Sequence, residues 1–184
     1  AGTYNNETGS KFPDACLLVP RGHFSLPASS HPEKCNLGEY QDEISSQSCK
    51  RAPTGHFVDS MGAVFPTPCS AGTFQPNNGS TTCINANPGF IAPEPSMSHV
   101  IPCPVGFFQP NHGSDQCLAS EPGYFSPIPG QSEQTPCPSG TFQISHAQSS
   151  CELPNDGHFL IPGISESEFP CPPGSFSNSN VGEM

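Results

Sequence analysis

The sequence predicts a small disulfide-rich fold, mostly β or irregular: an elongated tandem array of 34-residue repeats with short hairpins and no large hydrophobic core. Three observations carry that expectation. Nine of the ten cysteines recur on a fixed clock. Leu, Ile, Val and Phe together make up only 34 of 184 residues, too little apolar surface to offset the entropy of ordering an ordinary globular core. Pro and Gly number 24 and 18, and prolines recur too often for helices to run between them. Composition alone would place such a chain near the disordered class, but covalent staples can replace a core that composition cannot supply.

The clock is read directly from the residues. One cysteine series is Cys35, Cys69, Cys103, Cys137 and Cys171; a second is Cys49, Cys83, Cys117 and Cys151; every step in both is 34. The aromatics Tyr40, Phe74, Phe108, Phe142 and Phe176 keep the same period, as do Gly38, Gly72, Gly106, Gly140 and Gly174, and Gln41, Gln75, Gln109 and Gln143. Self-similarity of this kind marks a repeat architecture. It divides the chain into a partial repeat at 1–21, repeats at 22–54, 55–88, 89–122 and 123–156, and a partial repeat at 157–184.

One unit reads Gly-x-Phe, a variable Pro/Ser loop, Pro-Cys-x-x-Gly-x-Phe-Gln, a turn, then Ser-x-x-Cys. Asn77-Asn78-Gly79 and Asn111-His112-Gly113 predict tight hairpin turns, because Asn and Gly accept positive φ. Two or three strands of a few residues are expected per unit. Two apolar slots are expected to pack: the aromatic series above, and Phe24, Phe57, Ile91, Phe125 and Phe159 in the Gly-x-Phe slot. Two side chains at ~1.5–3 kcal/mol each cannot hold a unit of this length against ~1 kcal/mol of entropy per residue. Neighbouring units must therefore support one another, as in a one-dimensional array.

Two cysteine pairings fit the period. In one, partners lie 14 apart: Cys35–Cys49, Cys69–Cys83, Cys103–Cys117 and Cys137–Cys151. In the other they lie 19 or 20 apart: Cys16–Cys35, Cys49–Cys69, Cys83–Cys103, Cys117–Cys137 and Cys151–Cys171. Loop-closure entropy barely separates them, since it grows with the logarithm of loop length. The second uses all ten cysteines. The ends favour the first. Ala1-Gly2-Thr3-Tyr4 matches Ala71-Gly72-Thr73-Phe74, so a cysteine is expected two residues before Ala1 to receive Cys16, and the partner of Cys171 is expected just past Met184. The sequence then reads as a piece of a longer array. A third arrangement joins Cys171 of one copy to Cys16 of the next.

Cys69-Ser-Ala-Gly72-Thr-Phe74-Gln-Pro-Asn-Asn-Gly79-Ser-Thr-Thr-Cys83 resembles the cysteine-rich repeats of ephrin receptors and tumour necrosis factor receptors. The resemblance extends over the whole chain, as about five units. It implies a ladder of small disulfide-held β modules in which the two cysteines of a module bond to each other, the 14-residue pairing. The chain departs from that family in having no Cys-x-x-Cys steps between modules, which leaves the joints to Pro and aromatics.

Chemistry is sparse. The closest two cysteines are 14 positions apart, which argues against zinc, normally held by closely spaced pairs. His23, His56 and His158 share a slot with Phe90 and Tyr124, which reads as a flat ring used for packing; His112 and His146 fall in the turn region. Glu166 and Glu168 read as loop charge. No nucleophile elbow, phosphate loop or calcium loop occurs, so no enzyme, cofactor or metal is expected. The net charge is −11, and all five basic residues (Lys11, Arg21, Lys34, Lys50, Arg51) lie in the first 51, so nucleic acid and anionic lipid are poor partners. The longest apolar run, Cys16-Leu17-Leu18-Val19, is far too short to enter a membrane as a helix, and the absence of a basic n-region at Ala1 is consistent with a signal peptide already removed.

Asn6-Glu7-Thr8 and Asn78-Gly79-Ser80 are glycosylation sequons, and the Ser/Pro-rich loops Ser25–Pro32 and Pro93–Ser98 suit O-linked sugars. The expected function is an extracellular or cell-surface structural protein, a glycosylated rod or stalk whose partner is itself, head to tail, in a filament. The alternative is a ligand-binding receptor or adhesin ectodomain, with Phe107-Phe108 as the candidate patch because Phe107 stands where other units carry Thr or Ser.

Overall fold

The computed structural model describes residues 2–6, 16–161 and 166–175. Two compact units divide the chain: Ala1–Asn85 with Glu94–His99, and Ala86–Pro93 with Val100–Met184. Both are built from the same element, a two-stranded antiparallel hairpin. Nine such hairpins are formed by the described residues, with strands of two residues each. In the first unit Thr3–Tyr4 pairs with Leu17–Leu18, His23–Phe24 with Glu33–Lys34, Glu39–Tyr40 with Lys50–Arg51, His56–Phe57 with Thr67–Pro68, and Thr73–Phe74 with Ile84–Asn85. In the second, Phe90–Ile91 pairs with Ile101–Pro102, Phe107–Phe108 with Leu118–Ala119, Tyr124–Phe125 with Thr135–Pro136, and His158–Phe159 with Phe169–Pro170. A single bridge, Phe142 to Glu152, stands where a further hairpin would be expected.

Every hairpin begins just after a glycine, and each is named for it here. From Gly38 to Gly174 these glycines follow at steps of 17 residues, all with positive φ. The array of short disulfide-held hairpins therefore has a finer grain than its 34-residue sequence period: the repeats 22–54, 55–88 and 89–122 each hold two hairpins and four strands, more than the two or three expected, and 123–156 holds one hairpin and the single bridge.

Strands of two residues are not stable alone, and within each unit hairpins are tied to their successors through backbone, as the bonds donated by Gly22, Gly38 and Gly55 and by Gly89, Gly106 and Gly123 show. Three bonds recur. The leading glycine donates its N–H to the residue three places past the next leading glycine: Gly38 to the Val58 carbonyl (2.9 Å) and Gly55 to Gln75 (2.8 Å) in the first unit, Gly89 to Gln109 (2.7 Å) and Gly123 to Gln143 (2.8 Å) in the second. That third-place residue donates onward to the following loop, as Val58 does to Ser80 (3.0 Å) and Gln109 to Gln131 (3.0 Å). The third bond reaches two hairpins ahead, from Gly62 N–H to the Cys35 carbonyl and from Gly130 N–H to the Cys103 carbonyl, both 2.8 Å.

Four disulfides reinforce alternate joints: Cys35–Cys49, Cys69–Cys83, Cys103–Cys117 and Cys137–Cys151, with sequence separation 14 in each. The grammar is constant. The cysteine immediately after one hairpin's return strand bonds the cysteine immediately before the return strand of the next. Where this link is missing, Ala52, Ala86 and Ser120 occupy the first of the two cysteine slots, and all three are fully buried.

The core consequently consists of small and polar residues. Besides the cysteines, the buried side chains include Val19, Ala52, Ala86 and Ala92, and the buried polar ones are Ser25, Ser120, Ser126 and the glutamines Gln41, Gln75, Gln109 and Gln143. Of the aromatics expected to pack, Phe142 is buried, while Tyr40, Phe74 and Phe108 are half-buried; Phe176 lies outside the described residues. The second slot, Phe24, Phe57, Ile91, Phe125 and Phe159, is half-buried throughout.

The glutamines clamp their own loops. Gln75 Nε2 donates to the Thr82 carbonyl (2.7 Å), and its Oε1 accepts the Asn77 N–H (3.1 Å). Gln41, Gln109 and Gln143 repeat the pattern, donating to the carbonyls of Ser48, Gln116 and Ser150. This clamp spans a long loop, not the tight two-residue turn expected at Asn-Gly. Gly79 and Gly113 are loop residues with positive φ whose N–H groups reach the carbonyls of Ala52 and Ala86, both at 2.8 Å. Gln75→Ala leaves the part-buried Thr82 carbonyl and Asn77 N–H without their protein partner, and is expected to cost about 2 kcal/mol in a denaturant titration. A change below about 0.5 kcal/mol, the size of an ordinary surface substitution, would show that the clamp is dispensable.

Candidate functional surface

The two sequons are both at exposed positions. Asn6 is exposed just past the first strand, although Glu7 and Thr8 lie outside the described residues. Asn78 is exposed in the loop of the Gly72 hairpin, and that loop is anchored on both sides. Gly79 N–H bonds the Ala52 carbonyl, and the Ser80 carbonyl accepts the Val58 N–H at 3.0 Å. Within the same unit an open groove of about 420 Å³ runs between the Gly55 and Gly72 hairpins. Phe57, Thr73 and Cys83 are its half-buried residues; Asp59, Ser70, Thr81 and Thr82 are exposed along it.

His23, His56 and His158 are half-buried in first strands, each with Nδ1 within 3.1–3.4 Å of the carbonyl two residues before it. His112 and His146 are exposed. Among the described residues no group of three or more His, Cys, Asp and Glu could hold a metal ion. Phe107 and Phe108 are half-buried, facing Ala119 and Leu118 across their hairpin. Cys16 is an exposed free thiol immediately before a return strand, and Cys171 is half-buried immediately after one.

Charge is used locally. Lys50 Nζ contacts Asp42 (2.7 Å) and Glu43 (2.9 Å). The Lys50 hydrogen bond holds the Asp42 carboxyl below its usual value, and the same contact, with that to Glu43, raises the lysine.

Two joints without a cystine carry a polar substitute that residue-type reasoning missed. Gln134, directly before a return strand, accepts the Glu121 N–H at 2.8 Å. Glu168, 34 residues later in the same slot, accepts from the Asn155 N–H and from Asn155 Nδ2, both at 2.7 Å. Glu168 is thus a joint residue, not idle loop charge. Desolvation pushes its carboxyl up, but the two Asn155 bonds and the nearby His158 ring outweigh it, and the pKa falls below the ordinary glutamate value. A depressed carboxylate contributes stability above its unfolded pKa of about 4.3 and loses it as pH falls through the lower folded value. Glu168→Gln, which copies the Gln134 arrangement without the charge, is expected to melt below the parent at neutral pH, by a margin that shrinks as pH drops below about 4. A margin that does not change between neutral and acid pH would contradict this role.

Four disulfides fit an oxidising compartment of the secretory or extracellular kind. Among the described residues no helix is long and apolar enough to cross a membrane. The chain matches no family model and no curated protein.

Proposed function

We propose that the chain is an extracellular structural protein, a glycosylated rod or stalk that assembles head to tail into a surface filament. The observation that carries this reading is where the buried groups go. The leading glycines, the third-place residues and the carbonyls after the return strands are used to bind one hairpin to the next two. Each hairpin offers its successors the same donors and acceptors, and the relation is heterologous: what one hairpin gives, the next receives. Contacts of that kind between copies do not close on themselves and extend into filaments. Alternate disulfides make such an assembly resistant to local opening. Negative-stain microscopy and sedimentation of the oxidised protein over a concentration series test the proposal. Filaments or end-to-end oligomers that grow with concentration are expected; monomers alone at every concentration would overturn the filament.

A receptor or adhesin ectodomain is the second reading, favoured by the half-exposed Phe107 and Phe108 pair. A protein or glycan partner that weakens on Phe107→Thr, with thermal stability unchanged, would support it over the structural one.

A further inference from the structure

The sequon and the groove adjoin. The Ser80 carbonyl accepts the Val58 N–H at 3.0 Å, and the two residues flanking Val58, Phe57 and Asp59, line the groove. On the other side Thr81 and Thr82, next after Ser80, line it too, and Cys83 ties the loop to the Gly55 hairpin through its bond to Cys69. Asn78 therefore lies in the anchored loop, three residues before Thr81, where that loop begins to line the cleft.

The lining suits a sugar. A pyranose ring presents C–H groups on its faces and hydroxyls around its edge. The groove offers the half-buried Phe57 ring for the first, and the Asp59 carboxylate and the hydroxyls of Ser70, Thr81 and Thr82 for the second. Thr73 Oγ1 is already donated to the Ser70 carbonyl at 2.7 Å, which leaves the exposed rim groups as the sugar's partners. The volume of about 420 Å³ lies in the small-molecule range of about 300–1,000 Å³. The loop does not have to be ordered on occupancy, because the Gly79–Ala52 and Val58–Ser80 bonds already hold it.

We propose that this groove is the seat of the innermost N-acetylglucosamine of an N-linked glycan on Asn78, so that the sugar covers Phe57 and braces the Gly55–Gly72 joint. The proposal rests on the glycoprotein reading above. It makes the glycan part of the array's packing and not only a solubilising decoration.

The test uses the protein secreted from a eukaryotic host, with Asn78 occupancy read by mass spectrometry and the Phe57 ring followed by carbon-13 aromatic NMR. The glycoprotein is compared with itself after enzymatic trimming to the first sugar, and with Asn78→Gln. The expected result is a Phe57 ring signal, and Thr81 and Thr82 amide signals, displaced in the glycoprotein, unchanged on trimming, and reverted in Asn78→Gln. Proton signals of the first sugar should also lie upfield and move back in Phe57→Leu, a variant that keeps an apolar side chain in the strand. An occupied Asn78 with unshifted groove signals would overturn the seat and leave the glycoprotein reading standing. An unoccupied Asn78 would overturn the seat, and a protein carrying no glycan at any site would overturn the glycoprotein reading with it.

Discussion

Gly55→Ala is expected to unfold the hairpins around it, while Gly62→Ala, seven residues on, leaves them folded. Both glycines have φ near +75°, so both substitutions carry the left-handed cost of about 1–2 kcal/mol. They differ in what a Cβ would meet. At Gly55 it would lie 2.0 Å from the carbonyl oxygen of Ser96, part of the backbone that bonds across the joint to Cys69. No side-chain adjustment relieves that overlap, so the joint must separate. The loss is expected to exceed the roughly 4–5 kcal/mol that marks an exceptional substitution. At Gly62 the nearest atoms are Lys34 Cδ and Cγ at 3.4 Å, ends of a flexible side chain. The equivalent loop position is already non-glycine at Ala28, Ser45, Ser96 and Ala147, all with positive φ. Thermal unfolding followed by circular dichroism separates the two. Equal losses at both sites would mean that the leading glycines are not at a close joint.

Removing one disulfide is the second large effect. Cys103→Ala together with Cys117→Ala is expected to cost about 3 kcal/mol, the value for closing a loop of this length. Alanine is the right probe because the unlinked joints already place Ala52 and Ala86 in the buried slot that Cys103 fills. The backbone bonds of that joint, Gly89 to Gln109 and Gly130 to Cys103, can therefore survive the change. The destabilisation should stay local to the Gly89 and Gly106 hairpins. Loss of structure through the whole unit would show that the disulfides, and not the backbone joints, carry the array.

The 34-residue period, the hairpins, the absence of a large core and the need for neighbour support were legible because cysteines and aromatics announce them. The 17-residue half-period was not, for a physical reason. The third-place residue alternates between Gln75 or Gln109 and Val58, Ala92 or Ser126, and the slot after the return strand alternates between cysteine and alanine or serine. Only the glycine keeps the shorter step throughout, with an aromatic two residues on in every hairpin but the one that carries Ile91. Rings have the area that burial rewards, yet the tightest contacts are made where there is no side chain at all. Gln41, Gln75, Gln109 and Gln143 were on the clock, immediately after an aromatic. Their regularity was the available signal for a buried clamp, but an amide gains that role only from the loop it closes. Glu168 was hidden by its slot being filled with cysteine in half of the hairpins and with Gln134 in another.

Native-state hydrogen exchange by NMR tests most directly the claim that the structure is an array of alike joints at 17-residue steps. The slow amides are expected to include Gly38, Gly55, Gly89, Gly106 and Gly123, and the two-ahead donors Gly62, Gly79, Gly113 and Gly130, at linked and unlinked joints alike. Protection confined to the joints that carry a disulfide, with a 34-residue spacing and fast exchange at Gly38 and Gly106, would contradict it.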